Sequence, residues 1–334
     1  MGYYSHLSEE ERIKSYDFIE SFISASVVDW SRWNIDLGTD DVEQLFSQEL
    51  VNMSNTDFEF LLLHCGYIPD YYGKDSSEET LYSKLVESVV CEWARRIGFS
   101  GSFLQKQKSN KEDVTLVKDD NVIVCDAKSF RLGRSQAAPN VKDTIKKEAY
   151  TTWLSAYDEN KRVGGLTTFP SMHNWKRGGA AYHYYTEGNP SIMILFYEQM
   201  AYILRAGISA DSIIGFLKNY AEIFPEASEI QEVYWGGLFR NLLTDKKSVE
   251  QYFKEVEFYT REKATHSLNV IQSKIQHISE DVDTLLSNMS VEELQKIARQ
   301  SLIESRSREL MEQEQHIIDF RPIIKKEEED NLLF

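Results

Sequence analysis

Residues 122–130 have the sequence VIVCDAKSF, a short apolar run that ends in an acid and a base. Asp126 and Lys128 lie two positions apart, with Ala127 between them. A buried charge is costly to desolvate unless it is paired or holds a metal ion. Because alternate residues of a strand point to the same face, we expect both charged side chains to project into one site at the end of a buried strand.

The segment before this run predicts a second strand. Residues 113–117, DVTLV, are rich in β-branched residues, and the KDDN sequence that follows is a turn signal. The two runs therefore predict an antiparallel hairpin, which would bring Asp113 beside Asp126. The result is two carboxylates and one ammonium at a sheet edge, the D…D-x-K arrangement.

Two carboxylates and a lysine placed in this way suit the hydrolysis of phosphodiester bonds. Asp113 and Asp126 can hold Mg²⁺, a hard cation that prefers oxygen ligands. Such an ion offsets charge on the scissile phosphate and lowers the pKa of a bound water. Lys128 can orient or deprotonate that water and stabilise developing charge. D-x-K alone is a weak signal, and the alternative is an ion pair at the surface end of a strand.

The remainder of the chain predicts helices around a central mixed β-region. Residues 77–97 carry apolar residues at helical spacing, with Ser77 as a candidate N-cap and Gly98 at the end. Residues 163–170 predict a strand, and residues 191–207 predict a strand that runs into a helix. The predicted organisation is an N-terminal helical region over 1–60, a core over 61–245, and a C-terminal helical region over 246–334 that belongs to the same domain or to a dimer interface.

Composition restricts the partners of the chain. Its 334 residues carry a formal net charge of −17, which opposes indiscriminate binding of nucleic acid. Residues 104–147, however, contain ten Lys or Arg against six Asp or Glu, a net charge of +4. This cationic segment is either a confined nucleic-acid site or a solvated surface.

The cysteines and the apolar runs indicate the compartment. The three cysteines are widely spaced and form no C-x-x-C motif. The N-terminus lacks a signal-peptide pattern, and no apolar run is long enough to span a membrane. We therefore expect a cytoplasmic protein that does not bind a membrane.

The sequence VIVCDAKSFRLGR at 122–134, followed by NVKD at 140–143, resembles the active-site region of the HindIII-type restriction endonucleases, which belong to the PD-(D/E)xK nuclease superfamily. The likeness extends upstream through 66–84 and 108–117 and continues more weakly downstream, and it covers roughly residues 57–205. It implies an α/β fold with a restriction-endonuclease-like core, in which a central mixed β-sheet is flanked by helices, plus a helical C-terminal region.

The resemblance also implies an activity and a set of site residues. It implies a type II site-specific deoxyribonuclease, a homodimer that uses Mg²⁺ to hydrolyse both strands of double-stranded DNA at a short palindrome. By motif, Asp113 and Asp126 are implied metal ligands and Lys128 the catalytic lysine, although Asp113 follows a glutamate where the superfamily motif has proline. The residues implied to face DNA are Arg131, Arg134, Asn140 and Lys142.

Two other functions stay open at this point: a structure-specific repair or recombination nuclease, and a non-catalytic DNA-binding protein. The string after Lys128 disfavours the first, and the intact D…D-x-K set disfavours the second. Glu87 and Glu92 either supply a further acid or, as we prefer, are solvated helix residues. We interpret HNWKRGG at 173–179 as a surface loop and the tyrosines of 182–185 as edge-strand packing.

Overall fold

The computed structural model describes residues 2–26, 39–73, 76–105, 110–131, 146–170, 181–286 and 292–318. Over these ranges the chain is α/β, with a five-stranded mixed sheet flanked by helices and a long helical C-terminal region. The predicted fold class is therefore confirmed.

The strands of the described ranges are β1 (Tyr67–Ile68), β2 (Phe103–Leu104), β3 (Val114–Lys118), β4 (Asn121–Ala127), β5 (Phe130–Arg131), β6 (Arg162–Phe169) and β7 (Ile192–Phe196). The helices are α1 (Glu9–Tyr16), α2 (Phe18–Ser26), α3 (Thr39–Asn52), α4 (Asn55–Leu62), α5 (Ser77–Arg96), α6 (Lys147–Ser155), α7 (Ala181–Thr186), α8 (Tyr197–Arg205), α9 (Ala210–Lys218), α10 (Tyr220–Ile223), α11 (Gln231–Asn241), α12 (Lys246–Leu286) and α13 (Glu292–Ile318). None of them is long and apolar enough to cross a membrane.

The central sheet has the strand order β2-β3-β4-β6-β7. Strands β2, β3 and β4 are antiparallel neighbours, whereas β4, β6 and β7 run parallel. In the β3–β4 hairpin, Val114 lies opposite Cys125 and Lys118 lies opposite Asn121, so the predicted hairpin is confirmed. Outside this sheet, β1 and β5 form a short parallel pair.

Helices cover the sheet closely enough to bury even its last strand, β7. All five residues of β7 are buried, in agreement with the continuous apolar run expected of a strand covered on both faces. Helix α6 packs against β4 and β6. A Cβ at Gly165 would overlap the ring of Tyr150, so glycine at this position permits the close approach of α6.

Helix α5 forms where the apolar spacing predicts it. Its N-cap is Ser76 rather than Ser77, and the Ser76 hydroxyl accepts a hydrogen bond from the Glu79 amide at 3.2 Å. The helix ends at Arg96, and Gly98 follows with a φ of 111°, a conformation that favours glycine.

The prediction for residues 182–185 was wrong, because they lie in helix α7 and not in an edge strand. Tyr182 and Tyr185 are fully buried and pack near Tyr234 of α11. Their spacing of three residues places them on one face of a helix.

The N-terminal helices pack on the first half of α12. The Arg12 guanidinium donates to both carboxylate oxygens of Glu262, at 2.6 and 2.7 Å. Nearby, Lys263 pairs with Glu20 at 3.3 Å, and both side chains are buried. One hydrophobic cluster runs from Tyr4 through the sheet to α12. The division at residues 60 and 245 stays a prediction.

Candidate active site

The end of the β3–β4 hairpin brings Asp113 and Asp126 together. The Asp113 amide donates to the Cys125 carbonyl at 3.0 Å, which extends the hairpin by one step beyond Val114. The Asp113 Oδ2 atom accepts a hydrogen bond from the Ala127 amide at 2.9 Å. Asp126 is only 7% exposed at the end of β4. The hairpin therefore places two carboxylates side by side in a largely buried position.

Lys128 completes the arrangement. Its Nζ atom lies 2.7 Å from Asp126 Oδ1, and the lysine side chain is 29% exposed. Burial lowers the pKa of Lys128, but the charges of Asp126 and Asp113 outweigh that effect, so the net pKa is raised. The lysine is therefore an ammonium at neutral pH. Because Asp126 is buried, the D-x-K pair is not the surface ion pair of the alternative interpretation.

Asp113 experiences a surplus of negative charge. Burial raises the pKa of its carboxyl group well above the ordinary value, and the carboxylates of Glu87 and Asp126 raise it further. Lys128 opposes the shift only in part. A divalent cation would offset this repulsion, so the chemistry of these donors fits a metal ion.

The donor set also fits Mg²⁺ in number. Among the described ranges, no three His, Cys, Asp or Glu side chains are arranged as a ready-made metal cluster. Mg²⁺ is usually held by one or two carboxylates, with water and substrate phosphate completing its shell. Asp113 and Asp126 supply that number of carboxylates.

The interpretation of Glu87 and Glu92 as solvated residues was wrong, because each is only 7% exposed. Glu92 pairs with Arg96 one helical turn away, at 2.8 Å. Glu87 lies close enough to Asp113 for its charge to raise the pKa of that group. The sequence signal for both residues is their position in an otherwise nearly apolar stretch of α5, Leu85–Ala94.

Arg131 is engaged within the protein, since its Nη atoms donate to four backbone carbonyls and one carboxylate. The acceptors are the carbonyl oxygens of Pro69, Asp70, Tyr72 and Gly73, at 2.7 to 3.4 Å, and Glu79 Oε2, at 3.0 Å. Arg131 thereby ties the loop after β1 to the segment that carries Lys128. Its contact with DNA stays a prediction. Three further implied DNA contacts, Arg134, Asn140 and Lys142, lie outside the described residues, as does the 173–179 segment.

Arg131→Ala is expected to lower the free energy of unfolding by about 2–4 kcal/mol, because it leaves several carbonyls without their charged donor. Denaturant titration followed by circular dichroism measures this loss. Arg162→Ala is the matched control: Arg162 is exposed and donates to the Tyr157 and Ser155 carbonyls, so its loss is expected to be smaller. Unchanged stability combined with weaker DNA binding would instead make Arg131 a DNA contact.

The sheet, its helices and this site define an α/β protein with a restriction-endonuclease-like core. The model of the HindIII restriction endonuclease family matches residues 34–314, most of the chain, and the chain belongs to that family. It is therefore a restriction endonuclease of type II, and the likeness seen around residues 122–134 is confirmed at the level of the family. A comparison with curated individual proteins found no match.

Proposed function

We propose that this chain hydrolyses phosphodiester bonds of double-stranded DNA at a specific short palindrome, in a reaction that requires Mg²⁺. The observation that carries the proposal is the convergence of Asp113, Asp126 and Lys128 at one end of the β3–β4 hairpin. Family membership supplies the substrate class.

In this proposal Asp113 and Asp126 hold the metal ion. When bound, Mg²⁺ supplies positive charge against the scissile phosphate and a water of lowered pKa. Glu87 adds negative charge beside Asp113 and so favours binding of a cation. The buried position of the carboxylates limits screening by solvent, which strengthens each of these interactions.

The ion pair of Lys128 Nζ with Asp126 Oδ1, at 2.7 Å, places a positive charge beside the proposed metal site and favours one of the two conceivable roles of the lysine. A group that holds its proton tightly is a poor general base at neutral pH. An ammonium beside the reacting phosphate can orient the attacking water and stabilise charge that develops in the transition state. We therefore assign charge stabilisation to Lys128.

We further propose that the protein acts as a homodimer. A palindrome presents two identical strands related by a twofold axis, and a twofold dimer matches that symmetry. The second half of α12 pairs with α13, for example through Gln272 and Glu314 at 3.1 Å, and we propose this helical pair as part of the dimer interface. Arg131, Arg134, Asn140 and Lys142 are proposed DNA contacts, since Arg and Asn can pair with guanine and adenine edges.

Incubation with several unrelated plasmids is expected to produce discrete, reproducible fragments in Mg²⁺ and none in EDTA. Sequencing the fragment ends identifies the site and the cut positions. A smear, or a preference for branched DNA, would point to a repair or recombination nuclease. Specific binding without cutting in Mg²⁺ or Mn²⁺ would point to a non-catalytic DNA-binding protein.

A further inference from the structure

The backbone of Lys128 is hydrogen-bonded through both its amide and its carbonyl. Its amide donates to the carbonyl of Thr168 at 3.1 Å and to the Thr168 hydroxyl at 3.3 Å. Its carbonyl accepts a hydrogen bond from the Tyr197 hydroxyl at 3.1 Å. The Thr168 hydroxyl in turn donates to the Tyr197 hydroxyl at 3.0 Å, so the three residues close a cycle.

These contacts lie directly after the end of β4. Strand β4 ends at Ala127 and β5 begins at Phe130, so Lys128 falls between two strands. Thr168 belongs to β6, and Tyr197 begins α8 directly after β7. The cycle therefore fixes the backbone of Lys128 from strand β6 and from the first residue of helix α8.

The Tyr197 side chain has little freedom to move. Thr168 and Tyr197 are 0% and 1% exposed. A Cβ at Gly66 would overlap the Tyr197 ring, so the ring packs directly on the backbone before β1. The Gly66 carbonyl accepts a hydrogen bond from the Phe130 amide at 2.9 Å, which joins that backbone to the segment after Lys128.

We propose that Tyr197 and Thr168 are positioning residues. They fix the Lys128 backbone so that the side-chain ammonium of this lysine can contact both Asp126 and the scissile phosphate. The inference rests on the proposed function. It follows from the contacts because rate depends steeply on the placement of a charged group relative to the reacting atoms. Packing alone does not require the hydroxyl of Tyr197, since phenylalanine fills nearly the same volume.

Tyr197→Phe and Thr168→Val test the proposal by removing the two hydroxyls separately. Each is expected to lower the single-turnover rate of cleavage by about 5–30-fold, while the Kd for cognate DNA measured in Ca²⁺ stays unchanged. Thr168→Ser keeps the hydroxyl and is expected to cut at close to the wild-type rate.

Tyr234→Phe is the matched control. Tyr234 is also a buried tyrosine whose hydroxyl bonds strand backbone, here the amide and carbonyl of Ile194 in β7. Its hydroxyl bonds the backbone of Ile194 rather than that of Lys128, so the variant is expected to lose stability without losing cleavage rate in its folded fraction.

Wild-type cutting by Tyr197→Phe would overturn this inference and leave the proposed function intact. A rate that falls only in proportion to the folded fraction, or to DNA binding, would also overturn it, because the hydroxyls would then be merely structural. If Tyr197→Phe fails to fold, the comparison of Thr168→Val with Thr168→Ser decides the question. A wild-type protein that cuts no DNA would remove the proposed function and this inference with it.

Discussion

Lys128→Ala is expected to lower the single-turnover rate of DNA cleavage by about 10³-fold while specific binding persists. The expectation follows from the proposed role of the Lys128 ammonium, which is paired with Asp126 at 2.7 Å, in stabilising charge on the reacting phosphate. Binding depends on contacts spread over the DNA backbone and bases, of which a single lysine is a small part. Rapid-quench cleavage in Mg²⁺ and binding titrations in Ca²⁺ measure the two quantities separately.

Two further variants sharpen this result. Lys118→Ala is the matched control, because Lys118 lies on the same hairpin and pairs with a carboxylate, that of Asp211, away from the site. It is expected to cut like the wild type. Lys128→Arg keeps the positive charge, but a guanidinium does not release its proton at neutral pH and therefore cannot act as a general base. Activity of this variant well above that of Lys128→Ala favours charge stabilisation, whereas equal inactivity favours a proton-transfer role. Unimpaired cutting by Lys128→Ala would remove the lysine from the mechanism.

The hairpin that carries the site was predictable because its determinants are local. Alternating β-branched residues, a turn signal and a period of two residues specify which side chains share a face. Those rules alone place Asp113 opposite Asp126 and Lys128 on the same side, and the observed pairing of Val114 with Cys125 agrees with them. Local chemistry therefore sufficed for these three residues to be brought together.

The residues that support the site were not predictable in this way. Thr168 and Tyr197 are 40 and 69 positions from Lys128, and no local rule brings them to its backbone. The acceptors of Arg131 are mostly backbone carbonyls, which carry no residue identity for a motif to reveal. Glu87 was misinterpreted because glutamate is usually exposed to solvent, whereas this residue is only 7% exposed and close enough to Asp113 for its charge to raise the pKa of that group.

Asp113→Asn is expected to reduce cleavage by about 10³-fold or more, since losing the proposed metal ligand would forfeit several kcal/mol of transition-state stabilisation. The same change is expected to raise the free energy of unfolding at neutral pH in EDTA. Burial and the neighbouring charges of Glu87 and Asp126 disfavour the ionised Asp113 carboxyl group. Asparagine is neutral, and its side-chain oxygen can still accept the hydrogen bond from the Ala127 amide.

The pH dependence of this stability difference follows from the direction of the pKa shift. The folded chain holds the Asp113 proton more tightly than the unfolded chain does, because the folded-state pKa is raised. The resulting stabilisation is fully present below the ordinary pKa of 3.8 and is lost as the pH rises through the folded-state pKa. The Asn variant has no such loss. Its advantage is therefore expected to be absent at strongly acidic pH and to grow toward neutral pH.

The effect of Mg²⁺ on stability distinguishes a metal-ligand role of Asp113 from a general destabilising effect of its charge. A cation that binds only the folded protein stabilises it, so Mg²⁺ is expected to raise the unfolding midpoint of the wild type and to do so much less for Asp113→Asn. Asp119→Asn is the matched control: Asp119 lies exposed in the hairpin turn with a φ of 51°, which asparagine tolerates. This control should match the wild type in cleavage and in its response to Mg²⁺. Equal stabilisation of Asp113→Asn and the wild type by Mg²⁺ would mean that Asp113 does not bind the metal.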